Sequence, residues 1–306
     1  MTTALKTTPD FASQMVNGIL AIKPLANLAK HQARQMMIKR AENIGVFWTK
    51  EAEKLQARDW TNDLAQVQNP QLTYPDYYVI SFHAYETGNL SWQAAFEVES
   101  AAHAVHAKIW EDAEVQGDAK LRQSYHNILT SSISEPPKDI LDLGCSVGMS
   151  TFALQEIYPD ANITGLDLSP YFLAVANYRC QQHQAKINWV HAAAESTGMP
   201  DASFDLVSIF LMCHELPQLA TRKIFAEARR VLRRGGHLAI MDMNPKSEVY
   251  KKMPKYILTL LKSTEPYLDE YFTLDIEQTL VGAGFQTPTI TSNSPRHRTI
   301  ITQVSG

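Results

Sequence analysis

Ile140-Leu141-Asp142-Leu143-Gly144-Cys145-Ser146-Val147-Gly148 decides how the rest of the chain is read. An apolar strand runs into a tight turn carrying two glycines, and Phe152 and Leu154 then follow on a helix. Gly144 and Gly148 let backbone come close to a ligand where a Cβ would collide. Outward from this stretch the alternation continues: residues 163–168, 187–191, 205–210 and 237–241 read as further strands with helical stretches between them. That pattern predicts a parallel sheet wrapped by helices. Ser169-Pro170 offers an N-cap followed by proline at the first helical position, Pro217 opens the next helix, and Gly235-Gly236 releases the chain into the following strand. After Gly282-Ala283-Gly284, the β-leaning runs 285–290 and 298–304 leave no room for a helix between them. They must pair antiparallel, as a hairpin at the sheet edge.

A second acid gives the glycine turn its meaning. The strand after the turn ends at Asp167, where doubly wound nucleotide-binding folds place a carboxylate on the ribose hydroxyls. With turn and acid in register, adenosine binding is favoured over a purely structural strand-to-helix turn. A dehydrogenase is the natural competitor, but the loop lacks the third glycine of GxGxxG that packing around a pyrophosphate requires, and no Tyr-x-x-x-Lys pair is present.

Three motifs carry a resemblance: Asp142-Leu143-Gly144-Cys145-x-x-Gly148, Gly165-Leu166-Asp167-Leu168-Ser169-Pro170 and Ser203-Phe204-Asp205-Leu206-Val207. In this order and spacing they resemble class I S-adenosylmethionine-dependent methyltransferases, closest to the type 11, small-molecule subgroup that includes quinone-biosynthesis enzymes. Val231-Leu232-Arg233-Arg234-Gly235-Gly236-His237-Leu238 is similar to a further turn of that family, so the resemblance covers about residues 138–306. It implies an α/β, Rossmann-like, doubly wound seven-stranded sheet whose last two strands form the antiparallel hairpin, and S-adenosylmethionine as cofactor. Carried over residue by residue, it implies Asp142, Gly144, Ser146 and Gly148 around the amino-acid moiety, Asp167 at the ribose and Leu168 against the adenine. Ala194, Glu195 and Phe210 complete the cofactor set, with Glu195 standing in for an acid that the family commonly has at the position of Ala193. Ser146 replaces the middle glycine of GxGxG; a negative φ would make this tolerable, and its hydroxyl could donate to the methionine carboxylate.

Methyl transfer needs a base only when the acceptor must lose a proton. His214, beside Glu215 just after the strand 205–210, is the candidate, with an expected pKa near 6–7. The loop-rich stretch 69–89 holds Tyr74, Tyr77, Tyr78, His83 and Tyr85 and reads either as a packed joint or as the wall and lid of an acceptor pocket. His83, Tyr85 and Trp92 are the acceptor candidates. A helix over 91–112 is expected, capped by Ser91, with Trp92, Phe96, Val105 and Ile109 on its apolar face. On that helix Glu99, His103 and His106 have a spacing that can present metal ligands, but nothing nearby completes a site and a polar stripe is expected instead.

Composition sets the outer limits. The 306 residues, 45% hydrophobic and 20% charged with net charge -4, describe an ordinary globular protein with no general attraction to nucleic acid. Cys145, Cys180 and Cys213 are odd in number and without a CxxC, which fits a reducing, cytoplasmic setting and neither a disulfide framework nor a thiolate metal site. Residues 1–135 read as an N-terminal helical cap for acceptor recognition and 136–306 as the cofactor-binding domain, divided near Pro136-Pro137. Lys6, Lys23, Lys30, Arg34, Lys39 and Arg40 against Asp10 make residues 1–40 a basic segment suited to peripheral membrane contact, split by Pro24 into two short helices. The expected function is methyl transfer to a small, apolar or aromatic acceptor at oxygen or carbon. The alternatives are a catalytically silent cofactor-binding subunit, or a protein or nucleic-acid methyltransferase, the last without an Asn-Pro-Pro-Tyr motif or a basic groove to support it.

Overall fold

A computed structural model describes residues 23–83 and 85–305. The expected sheet is present among them: β1 (Asp139–Leu143), β2 (Asn162–Asp167), β3 (Ile187–His191), β4 (Phe204–Phe210), β5 (Leu232–Met243), β6 (Thr289–Ser292) and β7 (His297–Gln303). Their spatial order is β3-β2-β1-β4-β5-β7-β6. The first five are parallel, and β7 runs antiparallel between β5 and β6. Strand order reverses between β1 and β4, the switch point at which open α/β sheets bind ligands beyond their strand ends.

β1 and β4 lie in the middle of the sheet and are mostly apolar and buried because helices cover both faces, with Asp142 and Ser208 the buried polar exceptions. On one face Leu141, Leu143, Val207 and Ile240 pack with Ile224, Phe225 and Ala228 of the helix Gln218–Val231. On the other, Ile140, Leu206 and Ala239 meet Leu121, Tyr125 and Leu129 of the helix Gly117–Ser132. That second helix precedes the proline pair, yet it packs as part of the sheet domain.

The helices in chain order are α1 (Lys23–Asn43), α2 (Trp48–Gln56), α3 (Thr61–Val67), α4 (Trp92–His106), α5 (Gly117–Ser132), α6 (Met149–Ile157), α7 (Pro170–His183), α8 (Gln218–Val231), α9 (Glu248–Lys252), α10 (Lys255–Thr264), α11 (Leu268–Thr273) and α12 (Ile276–Gly282). Ser91 caps α4 by accepting from the Ala94 N–H at 3.1 Å, and Ser169 caps α7 with Pro170 in its first turn. α4 stops at His106, short of the expected end at 112. Gly117 comes so close to it that a Cβ there would lie 2.2 Å from the His106 carbonyl oxygen, so the chain turns away. Its buried residues are Ala94, Ala95, Glu97, Ser100, Ala104 and His106; of the expected face, Trp92 and Phe96 are partly buried against the core, Ile109 is buried beyond the helix end and Val105 is exposed. Gly235 and Gly236 lie inside β5, beside a register shift against β4.

The basic segment 1–40 is described only from Lys23 onward, and the readings on residues 1–22 lie outside the described residues. Pro24 sits in the first turn of α1, where its missing N–H is harmless. Arg34 reaches from α1 to the buried Glu97 of α4, and Trp48, Leu55 and Trp60 are buried between the cap helices. No helix among the described residues is long and apolar enough to cross a membrane.

Candidate functional site

The predicted residues gather at the carboxyl ends of β1, β2, β3 and β4. The turn after β1 is anchored on β2: the Gly144 and Cys145 N–H groups donate to the Leu166 carbonyl at 2.8 and 3.1 Å. Gly144 and Gly148 have φ of 70° and 88°, and Ser146 has φ of 51°. The expected negative φ at Ser146 is therefore corrected: three alternate residues of the turn lie in the left-handed region, which costs a serine about 1–2 kcal/mol. Asp167 holds the turn in that shape, its Oδ2 accepting from the Ser146 N–H at 2.8 Å while Oδ1 accepts from the Ser169 N–H at 2.8 Å. The protein groups closest to the two glycines are side chains, Met212 beside Gly144 and Trp189 with Phe152 beside Gly148.

Asp142 is fully buried, and its Oδ2 accepts from Ser150 and Thr151 of α6 at 2.7 Å each. Burial raises both carboxylates and hydrogen bonds hold them down, leaving Asp142 and Asp167 each at about 6. Asp142 Oδ1, Ser146 Oγ and Glu195 Oε2 are buried without a protein partner. Such orphans are expensive unless a ligand or water meets them. All three belong to residues that the sequence assigned to the cofactor. Leu168 and Ala194 are buried beside them. Phe210, assigned to the same set, packs instead into the core against Tyr125, beneath the Arg122 guanidinium.

The cap covers these strand ends through residues 69–90. The Asn69 N–H donates to His191 Nδ1 at 2.9 Å, and Tyr77 OH donates to Glu195 Oε1 at 2.5 Å. Ser169 Oγ donates to the Asn89 carbonyl at 2.7 Å, and the His83 N–H to the Thr264 carbonyl at 3.1 Å. Burial lifts the Tyr78 phenol well above its usual range, with the charges of Asp167 and Glu215 adding to the effect.

Beyond β4 an acid–base cluster joins four parts of the chain. His214 Nδ1 lies 2.7 Å from Asp242 Oδ1, so its orienting carboxylate is Asp242 at the end of β5 and not the adjacent Glu215. Glu215 faces His83 Nε2 at 3.5 Å, and the same nitrogen is 2.9 Å from Glu265 Oε1 just after α10. Burial would depress the His214 pKa, but Asp242 outweighs it and raises the group to about 10, which corrects the expected 6–7. His83 is likewise raised against burial, by Glu265 and Glu215, to about 9. Glu215 is raised by burial and restrained by the two histidines, to about 7. The neighbouring carboxylates thus favour the protonated form of both imidazoles, and burial favours the neutral form of Glu215.

The acceptor candidates fall in two places, Tyr85 and Trp92 on one hydrophobic cluster and His83 elsewhere. His83 belongs to the acid–base cluster. Tyr85 donates its hydroxyl to Glu97 Oε2 at 2.9 Å, and Trp92 packs with Trp60, Phe96 and Tyr171 on a separate cleft of about 930 Å³ in the cap. Glu99 pairs with Arg179 and His106 with Asp118, so the polar stripe of α4 faces different partners. Asp242, Glu265 and His191 were not picked out from sequence as site residues, and Tyr77 only as part of the aromatic stretch read as a pocket wall. Of these Asp242 had a readable signal, an acid closing an apolar strand, as Asp167 closes β2.

Residues 140–236 match the family described as a methyltransferase domain. This part of the chain is similar to class I S-adenosylmethionine-dependent methyltransferase domains. A demethylmenaquinone methyltransferase of Thermus thermophilus is 30% identical over 37% of this chain and 51% of its own length. One of Tropheryma whipplei is 29% identical over 52% of this chain and 66% of its own. A phthiotriol/phenolphthiotriol dimycocerosates methyltransferase of Mycobacterium leprae is 33% identical over 41% of this chain and 44% of its own. The chain thus spans half to two thirds of the first two relatives. Among solved structures, a Haemonchus contortus phosphoethanolamine N-methyltransferase 2 superposes with TM-score 0.52 at 14% identity, covering 72% of this chain and 62% of its own. A Pyrococcus horikoshii protein gives 0.51 at 14% identity, covering 66% of this chain and 99% of its own. At that identity the superpositions speak for the fold of the methyltransferase domain alone.

Proposed function

We propose that this protein binds S-adenosylmethionine at the ends of β1–β3 and transfers its methyl group to a small, apolar or aromatic acceptor at oxygen or carbon. The observation that carries this reading is the trio of orphaned buried atoms, Asp142 Oδ1, Ser146 Oγ and Glu195 Oε2, around the left-handed turn. They are hydrogen-bonding groups of the kinds that an amino-acid moiety and an adenine amino group require. Asp167 has spare acceptor capacity on both oxygens for ribose hydroxyls, since a carboxylate offers about four lone-pair sites and two are used. Bound there, the cofactor supplies a methyl group activated on a sulfonium. The relatives named for demethylmenaquinone and for phenolphthiotriol dimycocerosates support a quinone- or phenol-like acceptor.

The chain's own part is to position, to exclude water and to move one proton. Residues 69–90 roof the strand ends and keep water out. Glu215 takes the proton of the acceptor; protonated His83 and His214 stabilise its carboxylate form, while Asp242 and Glu265 hold the two imidazoles in place.

Calorimetry with S-adenosylhomocysteine tests the cofactor half. Asp167→Ala should weaken binding by about 1.5–3 kcal/mol, because ribose hydroxyls lose a charged acceptor. Asp167→Asn, which keeps one acceptor but sets its amide NH2 against one of the two backbone donors, should fall between the two. Equal affinity in folded wild type and alanine variant would end the assignment. Methyl-labelled cofactor with an extract of the source organism tests the rest: label in a small organic-soluble product is expected, whereas tight binding with no transfer would make the protein a silent cofactor-binding subunit.

A further inference from the structure

Between β5 and α11 the chain spends residues 246–264 on two short helices that the sheet does not need. α10 has no buried residue along its whole length. It is nevertheless apolar: Tyr256, Ile257 and Leu260 are 43%, 38% and 41% exposed, and Val249 on α9 adds a further 38%. With 3.6 residues per turn, positions 256, 257 and 260 fall on one contiguous stripe. The inward edge is held by Leu261, partly buried against the core. Single exposed apolar side chains need no explanation, but a stripe on an otherwise unpacked helix does.

Charge identifies what would cover it. Residues 246–264 hold Lys246, Lys251, Lys252, Lys255 and Lys262 against one acid, Glu248, in a chain whose net charge is -4. Lys251 and Lys252 share Glu248 at 3.1 and 3.4 Å and Lys262 meets Asp269 at 2.6 Å, all near solvent, so the surface keeps a positive excess. An apolar stripe flanked by lysines, with a tyrosine among its residues, is the composition of a helix that lies in a bilayer interface, apolar face toward the acyl chains and lysines at anionic headgroups. A second protein chain would meet the same stripe but offers no reason for the lysine excess.

We infer that α9 and α10 form a membrane-docking surface for an anionic lipid bilayer. The same helix ends at Thr264 and Glu265, which hold His83 through its N–H and its ring, so the lipid-facing helix leads directly into the acid–base cluster. The docking itself does not depend on methyl transfer and is tested without it.

The experiment is vesicle co-sedimentation of the full chain, with phosphatidylcholine vesicles containing about a third phosphatidylglycerol against phosphatidylcholine alone. Wild type should bind the anionic vesicles at least tenfold better, and added salt should weaken the binding. Lys251→Gln, Lys252→Gln and Lys255→Gln combined should remove that preference, and Ile257→Glu with Leu260→Glu should reduce binding at least tenfold. All five positions are exposed, so unchanged thermal melting is expected and checks that the variants fold. Equal binding to both vesicle types, or anionic binding retained by both variants, overturns the proposal. So does self-association of wild type in sedimentation velocity that Leu260→Glu abolishes without affecting vesicle binding, which assigns the stripe to a second copy.

Discussion

Glu215 and His214 are neighbours in sequence with opposite roles in the cluster. His214 is drawn to Asp242, whose charge and hydrogen bond raise its pKa against desolvation to about 10, favouring the protonated form. Glu215, half-buried and near both imidazoles, is raised by desolvation and restrained by them, to about 7. A base must be deprotonated to work, so activity on an acceptor that loses a proton should rise with pH through about 7 and fall on the acid side. Glu215→Gln should lower kcat by about 10²–10⁴-fold and erase that acid limb, while cofactor affinity stays within a few-fold. His214→Gln removes a positive neighbour that favours the carboxylate, so its acid limb should move to higher pH and persist. An unchanged limb in Glu215→Gln would take the proton away from this residue. Sequence alone favoured His214, because the 28-residue separation from Asp242 hid the carboxylate that keeps its proton.

At the level of elements, what was legible followed local rules. The five parallel strands announce themselves because each has a short apolar core set off by turn or helix-capping residues, and the terminal hairpin follows from the lack of room for a helix. The length of α4 was not legible, since nothing in residues 107–112 breaks a helix. Its end is fixed by Gly117, whose missing Cβ lets the start of α5 press on the His106 carbonyl and on Ala107. Gly117→Ala would put a methyl 2.2 Å from that oxygen and 2.8 Å from the Ala107 Cα, both backbone atoms that cannot rotate aside. It should destabilise the protein by about 1–3 kcal/mol, seen as a fall of several degrees in Tm. A melting curve that matches wild type would mean that the α4–α5 junction gives way freely. The cofactor turn was readable for a similar reason, its glycine spacing being local. Its left-handed Ser146 was not, because the Asp167 carboxylate that stabilises the turn comes from the next strand.

Across the whole molecule, the cap and the sheet domain are fastened at the place where the chemistry is proposed. Asn69, Tyr77, His83 and Asn89 each tie residues 69–90 to the strand ends or to the end of α10, and the rest of the cap packs on α7 through α3 and α4. A cofactor lying over β1–β3 beneath that segment can leave only when the segment lifts. The Tyr77 hydroxyl on Glu195 Oε1 is one of the few side-chain ties involved, and its removal leaves the ring and its packing in place. One hydrogen bond to a carboxylate is worth about 1.5–3 kcal/mol, so Tyr77→Phe should speed S-adenosylhomocysteine dissociation by about 10- to 150-fold with little change in Tm. Amide exchange across 69–90 should slow when S-adenosylhomocysteine binds to wild type, and slow less in the variant. If exchange there ignores the ligand and the dissociation rate ignores Tyr77, the segment is a fixed wall and the cofactor must enter from the open side of the turn after β1.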